Sequence, residues 1–154
     1  MGYRQLILAG WLVILACSQI VQAGENENVF VGSQVCRDCH QTQYENFMKY
    51  SKKADSFTSI KKMEKKLTPE EYRGCFECHT TGFGKKGGFI SEQQTPELKD
   101  TGCEVCHGPG SLHSESEDPD DIIRKMDMET CVACHNEERV RAFDFKPMMY
   151  GGAH

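Results

Sequence analysis

The sequence predicts a mostly α-helical fold with extensive loops and little or no β structure. It is a small domain whose core is completed by something other than its own side chains. Three observations lead there. Residues 24–154 hold 13 Ile, Leu and Val and 8 Phe among 131 positions. That is too few large apolar side chains for an ordinary core. No run alternates apolar and polar residues over the length of a strand. Nine cysteines stand among the 154 residues, and a small, weakly cored domain needs staples.

The elements follow in chain order. Arg4 is a short basic segment, and Leu6 to Cys17 is an apolar run too short to span a bilayer comfortably. Val21-Gln22-Ala23 then offers a cleavage site before Gly24. Residues 1–23 therefore read as a secretory signal peptide and 24–154 as the mature domain. That implies a periplasmic or cell-surface protein with no transmembrane span after cleavage. Lipoprotein processing at Cys17 is the weaker alternative, because Leu15 fits poorly before Ala16-Cys17. The mature chain carries a net charge of −6, since Arg4 leaves a total of −5 with no acid lost.

The eight mature cysteines form four pairs, each followed by histidine: Cys36-x-x-Cys39-His40, Cys75-x-x-Cys78-His79, Cys103-x-x-Cys106-His107 and Cys131-x-x-Cys134-His135. C-x-x-C-H is the attachment signature of c-type haem. Two thiols at this spacing reach the two vinyl groups of one porphyrin, and the next residue offers an imidazole to the iron. Zinc ribbons also use C-x-x-C pairs, but gaps of 35, 24 and 24 residues between the pairs are long for one. Neither zinc nor a disulfide framework explains a histidine after every pair. Thioredoxin-like pairs need a βαβ context that is absent from the pattern. Four covalently attached haem c groups also supply the missing apolar surface.

After the first motif, Tyr44, Phe47 and Met48 recur at helical spacing. Thr68-Pro69-Glu70-Glu71 reads as an N-cap, a proline in the first turn and a capping-box glutamate, starting a helix into Cys75. Thr95-Pro96-Glu97 suggests the same ahead of Cys103. Gly82, Gly84, Gly87 and Gly88 mark a loop, and Gly108-Pro109-Gly110 a turn. A basic stretch (Lys49, Lys52, Lys53, Lys61, Lys62, Lys65, Lys66) and an acidic one (Glu115, Glu117, Asp118, Asp120, Asp121) are either solvated faces or docking patches for redox partner proteins. Too few aromatics interleave the lysines to suggest nucleic acid.

The chain has six histidines. Four are proximal ligands by position: His40, His79, His107 and His135. Only His113 and His154 remain for four distal positions, so within one chain at least two haems are open or bound by Lys, Met or a neighbouring molecule. His113 follows His107 across the Gly-Pro-Gly turn and reaches a neighbouring haem more easily than its own. His154 is the last residue, where order is often lost.

These residues resemble the tetrahaem cytochrome c-554 family from about Val29 to His154. Val31-Gly32-Ser33 resembles its entry segment. Cys106-His107-Gly108-Pro109-Gly110-Ser111-Leu112-His113 is similar to its most specific motif. Phe143-Asp144-Phe145, Tyr150 and His154 resemble its C-terminal segment. The resemblance implies that His113 binds the haem of His40, that His154 binds the haem of His107, and that the haem of His79 has no protein distal ligand. Lys53 stands where the family has its remaining distal histidine. The haem of His135 is therefore held by Lys53 through its neutral amine, left open, or bound from elsewhere, as by Met148, Met149 or another subunit.

The expected function is single-electron transfer between respiratory redox partners, with haem supplying the chemistry. Reduction of a small nitrogen ligand such as nitric oxide at an open haem is the enzymatic alternative. The His79 haem is the first candidate for it, and no catalytic residue stands out. Glu77 and Glu104, inside haem motifs, are expected to face solvent. A filament subunit is the third possibility.

Overall fold

A computed structural model describes residues 27–136. The leader with Cys17, and at the other end Phe143 to Phe145, Met148, Met149, Tyr150 and His154, lie outside the described residues. Among those described, helices α1 (Ser33–Cys36), α2 (Gln41–Tyr50), α3 (Ser56–Lys61), α4 (Pro69–Gly74), α5 (Phe76–His79), α6 (Glu104–His107), α7 (Ser111–Ser116) and α8 (Met128–Val132) alternate with 3₁₀ turns and loops, and no strand occurs. This is the mostly α, loop-rich class the sequence predicts. No helix among these residues is long and apolar enough to cross a membrane.

Local chemistry explains the boundaries. The helix expected after the first motif is α2. Phe47 is buried, Met48 is exposed, and the Tyr44 hydroxyl donates to Gln34 Oε1 at 2.8 Å. At α4 the capping box is complete. Thr68 Oγ1 accepts from the Glu71 N–H, and Glu71 Oε2 accepts from the Thr68 N–H at 2.8 Å. The parallel expectation at Thr95 fails. The Thr95 hydroxyl accepts from the Ile90 N–H at 2.9 Å instead, so Pro96–Leu98 is a single uncapped 3₁₀ turn.

The side-chain core surrounds the second cysteine motif. Phe57, Ile60, Phe89 and Leu98 are buried together, with Phe30, Tyr72, Cys75, Phe76 and Phe83 against them. Phe76, between the two cysteines of that motif, makes edge contacts with Tyr72, Phe83 and Phe89 at ring-centroid distances of 5.1, 5.4 and 5.3 Å. In place of strand ladders, buried hydroxyls satisfy the backbone. Ser56 Oγ donates to His79 O at 2.9 Å and accepts from the Thr101 N–H. Thr101 Oγ1 donates to Cys78 O at 2.8 Å, and Thr81 Oγ1 accepts from the Gly102 N–H.

The loop after the motif needs glycine at two places. Gly82 has φ +70°, and a Cβ there would lie 2.7 Å from the Phe30 ring. A Cβ at Gly88 would lie 1.7 Å from the Gly82 carbonyl oxygen.

Candidate haem site

All four motifs take the same backbone form. In each, the histidine N–H donates to the carbonyl of the first cysteine: His40 to Cys36 at 2.9 Å, His79 to Cys75 at 3.1 Å, His107 to Cys103 at 3.0 Å and His135 to Cys131 at 2.9 Å. This is a single α-helical turn closed four residues on. Residues i, i+3 and i+4 of such a turn share one face. Two thiols and an imidazole therefore project together, as covalent porphyrin attachment requires.

The first and third motifs meet through their leading cysteines. A hydrogen bond joins the Cys36 and Cys103 thiols. It raises Cys36, with burial adding to the shift, and lowers Cys103 to about 6. Thioether formation removes both protons, so in the haem-loaded protein the contact records adjacency alone. Ser33 Oγ accepts from the Cys103 N–H at 3.0 Å, tying α1 to the third motif. Burial raises Cys106, and the charges of Lys53 and Cys131 act on it, so the third and fourth motifs also face each other.

The imidazoles are oriented by backbone carbonyls. Nδ1 of His79 meets Ser56 O at 3.1 Å, Nδ1 of His107 meets Ile123 O at 2.7 Å, and Nδ1 of His113 meets Asp118 O at 2.8 Å. A proton on Nδ1 leaves Nε2 as the lone-pair donor, the usual arrangement of a metal-ligating histidine. His40 and His113 lie with ring centroids 6.2 Å apart and planes 20° from parallel. Two metal–imidazole bonds of about 2 Å, with each ring centre about 1 Å beyond its nitrogen, span about 6 Å. The separation of the two rings matches that span.

Lys53 is half-buried at the 3₁₀ turn Lys52–Asp55. Burial lowers His135 first, and the charge of Lys53 lowers it further. Lys53 also acts on Cys131, where burial dominates in the upward direction. The fold therefore brings Lys53 to the fourth motif. Most of the basic stretch is exposed, and Lys61 pairs with Glu92.

Glu77 faces solvent as expected. Glu104 does not. It is 2% exposed and accepts three backbone hydrogen bonds: from Val31 N–H at 2.9 Å, Gly32 N–H at 2.7 Å and Gly110 N–H at 2.8 Å. Sequence reasoning missed it because a motif position does not reveal which face a neighbouring segment covers. The signal was the Gly108-Pro109-Gly110 turn two residues past the motif cysteine, whose Gly110 N–H needs an acceptor.

The eight motif cysteines are all free thiols, not disulfides. Among the described residues no three His, Cys, Asp or Glu side chains converge as a bare metal site.

Comparison with known proteins agrees with this geometry. The family model described as cytochrome c554 and c-prime matches residues 35–108. Cytochrome c-554 of Nitrosomonas europaea is 38% identical over 92 residues, covering 53% of this chain and 39% of that protein. The chain thus spans about two fifths of the length of that curated relative. The reduced-state structure of cytochrome c554 from Nitrosomonas europaea matches with a TM-score of 0.56 and 25% identity, over 81% of this chain and 83% of that one.

Proposed function

We propose that this protein, which belongs to the cytochrome c-554 family of tetrahaem c-type cytochromes, is exported to the periplasm or cell surface and passes single electrons between respiratory redox proteins there. Its signal peptide is residues 1–23, and residues 24–154 form one tetrahaem domain. Bound haem c supplies a reversible one-electron iron couple.

The chain's own residues bind, orient and space the groups. Each helical turn offers its two cysteines for thioether bonds and its histidine as proximal ligand. His113 is the distal ligand at the haem of His40, and His154 serves the haem of His107. Lys53 serves the haem of His135 in place of the family's histidine. The haem of His79 keeps an open position. The observation that carries the relay reading is the contact between Cys36 and Cys103, which favours close approach of two attachment sites from distant parts of the chain. Support for His113 is the 6.2 Å ring separation. Support for Lys53 is its electrostatic action on His135 and Cys131.

Low-temperature electron paramagnetic resonance of the oxidised protein, with resonance Raman, counts spin states. Three low-spin haems and one high-spin haem are expected. Four low-spin haems would overturn the open position. Catalytic consumption of nitric oxide or hydroxylamine under a reductant would replace the carrier reading with the enzymatic one.

A further inference from the structure

Glu104 is a buried carboxylate, and among the described residues no ion pair partners it; the pairs are Lys61–Glu92 and Lys86–Glu27. Its partners are all donors. Oε1 accepts from Val31 and Gly110, and Oε2 from Gly32. None of the three can accept a proton, so the cage suits a carboxylate and not the protonated acid.

The position of that cage matters more than its strength. Val31 and Gly32 lead into α1 and the first haem motif. Glu104 itself lies between the cysteines of the third. Gly110 opens α7, which carries His113. One carboxylate therefore ties the proximal side of the first haem, the attachment turn of the third, and the segment bearing the histidine that faces His40. A second clamp runs beside it: Val29 N–H donates to Ser111 Oγ at 2.8 Å, and Ser111 N–H to Val29 O at 3.2 Å. The field of Glu104 reaches Cys36, where it opposes thiol ionisation.

We propose that Glu104 is a positioning residue with an electrostatic role: it holds His113 over the iron of His40 and keeps the reduction potentials of the His40 and His107 haems low. The inference rests on the tetrahaem carrier reading. The electrostatic sign is simple. Reduction adds an electron beside a fixed negative charge, and burial weakens the screening that water would give. Removing the charge therefore favours the ferrous form. At an effective dielectric constant near 20, a unit charge about 12 Å from an iron changes the ferrous-to-ferric ratio about tenfold at a given applied potential, or about 59 mV for one electron.

The test is Glu104→Gln and Glu104→Asp in the full haem-loaded protein. Potentiometric titration reads the four midpoints, and paramagnetic resonance reads spin states. Wild-type protein comes first: absence of four thioether-linked haems by mass would end the carrier reading before any variant is made. In Glu104→Gln, the His107 midpoint should rise by about 59 mV, and the His40 haem should gain high-spin character with a larger shift of its own midpoint from the weakened ligation. An unchanged His107 midpoint would overturn the electrostatic role, and an unchanged spin count the positioning role. If Glu104→Gln assembles fewer than four haems, Glu104→Asp decides. It keeps the charge and shortens the reach, so an unchanged His107 midpoint with a high-spin His40 haem supports the proposal. A His107 midpoint that rises in a fully loaded Glu104→Asp protein overturns it.

Discussion

The imidazoles of His40 and His113 stand nearly parallel, with ring centroids 6.2 Å apart, although one follows the first cysteine motif and the other follows the third. Asp118 O holds His113 by Nδ1, which aims Nε2 away from that carbonyl. His113→Ala should add one high-spin ferric haem while mass spectrometry still finds four haems attached. An unchanged spin count would exclude His113 as a ligand.

Lys53 differs from a surface lysine because its charge is felt by His135 and Cys131. Lys53→Ala should convert the His135 haem to high spin, and Lys53→His should keep it low-spin with the signature of two imidazoles. Identical spectra for Lys53→Ala and wild type would place that ligand elsewhere.

Asp100 supplies a pH test. Burial raises its carboxyl above 3.8, outweighing the hydrogen bond from the Phe57 N–H. The folded state then binds this proton more tightly than the unfolded chain, so ionisation costs stability at neutral pH. That cost disappears as pH falls through the folded value towards 3.8. Asp100→Asn keeps an acceptor for Phe57 and removes the charge. It should resist urea better than wild type at pH 7, with an advantage that shrinks as pH falls towards 3.8. An advantage independent of pH would contradict the burial argument.

The α4 capping box gives a local stability test. Thr68→Ala should destabilise the fold by about 1 kcal/mol, measured as a lower urea midpoint with the haem count unchanged. Thr68→Ser should recover most of the loss. A midpoint unaffected by Thr68→Ala would mean that α4 is held by its packing on Phe76 alone.

What the sequence made legible divides by range. The helical turn of each cysteine motif and the Thr68 cap depend on residues within five positions of one another, and spacing alone reveals them. Thr95 shares the Thr-Pro-Glu start of the Thr68 pattern but has Leu98 where the capping-box Glu71 stands, and it loses its hydroxyl to Ile90, a competitor that pattern cannot weigh. Glu104 went unread for a related reason. Its burial depends on Val31 and Gly32, which reach it only after the chain has doubled back. The approach of Lys53 to His135 was suggested by family position and not by any spacing rule.

The Cys36–Cys103 contact separates order along the chain from order in space. The first attachment site adjoins the third, and the third faces the fourth through Cys106 and Cys131. The order of the motifs in space is woven, not strung. Truncation from the N-terminus would remove the neighbour of a central site instead of shortening a row. In the relay proposed above, the first, third and fourth sites would form one unit, because removing any one of these motifs would take a neighbour from another.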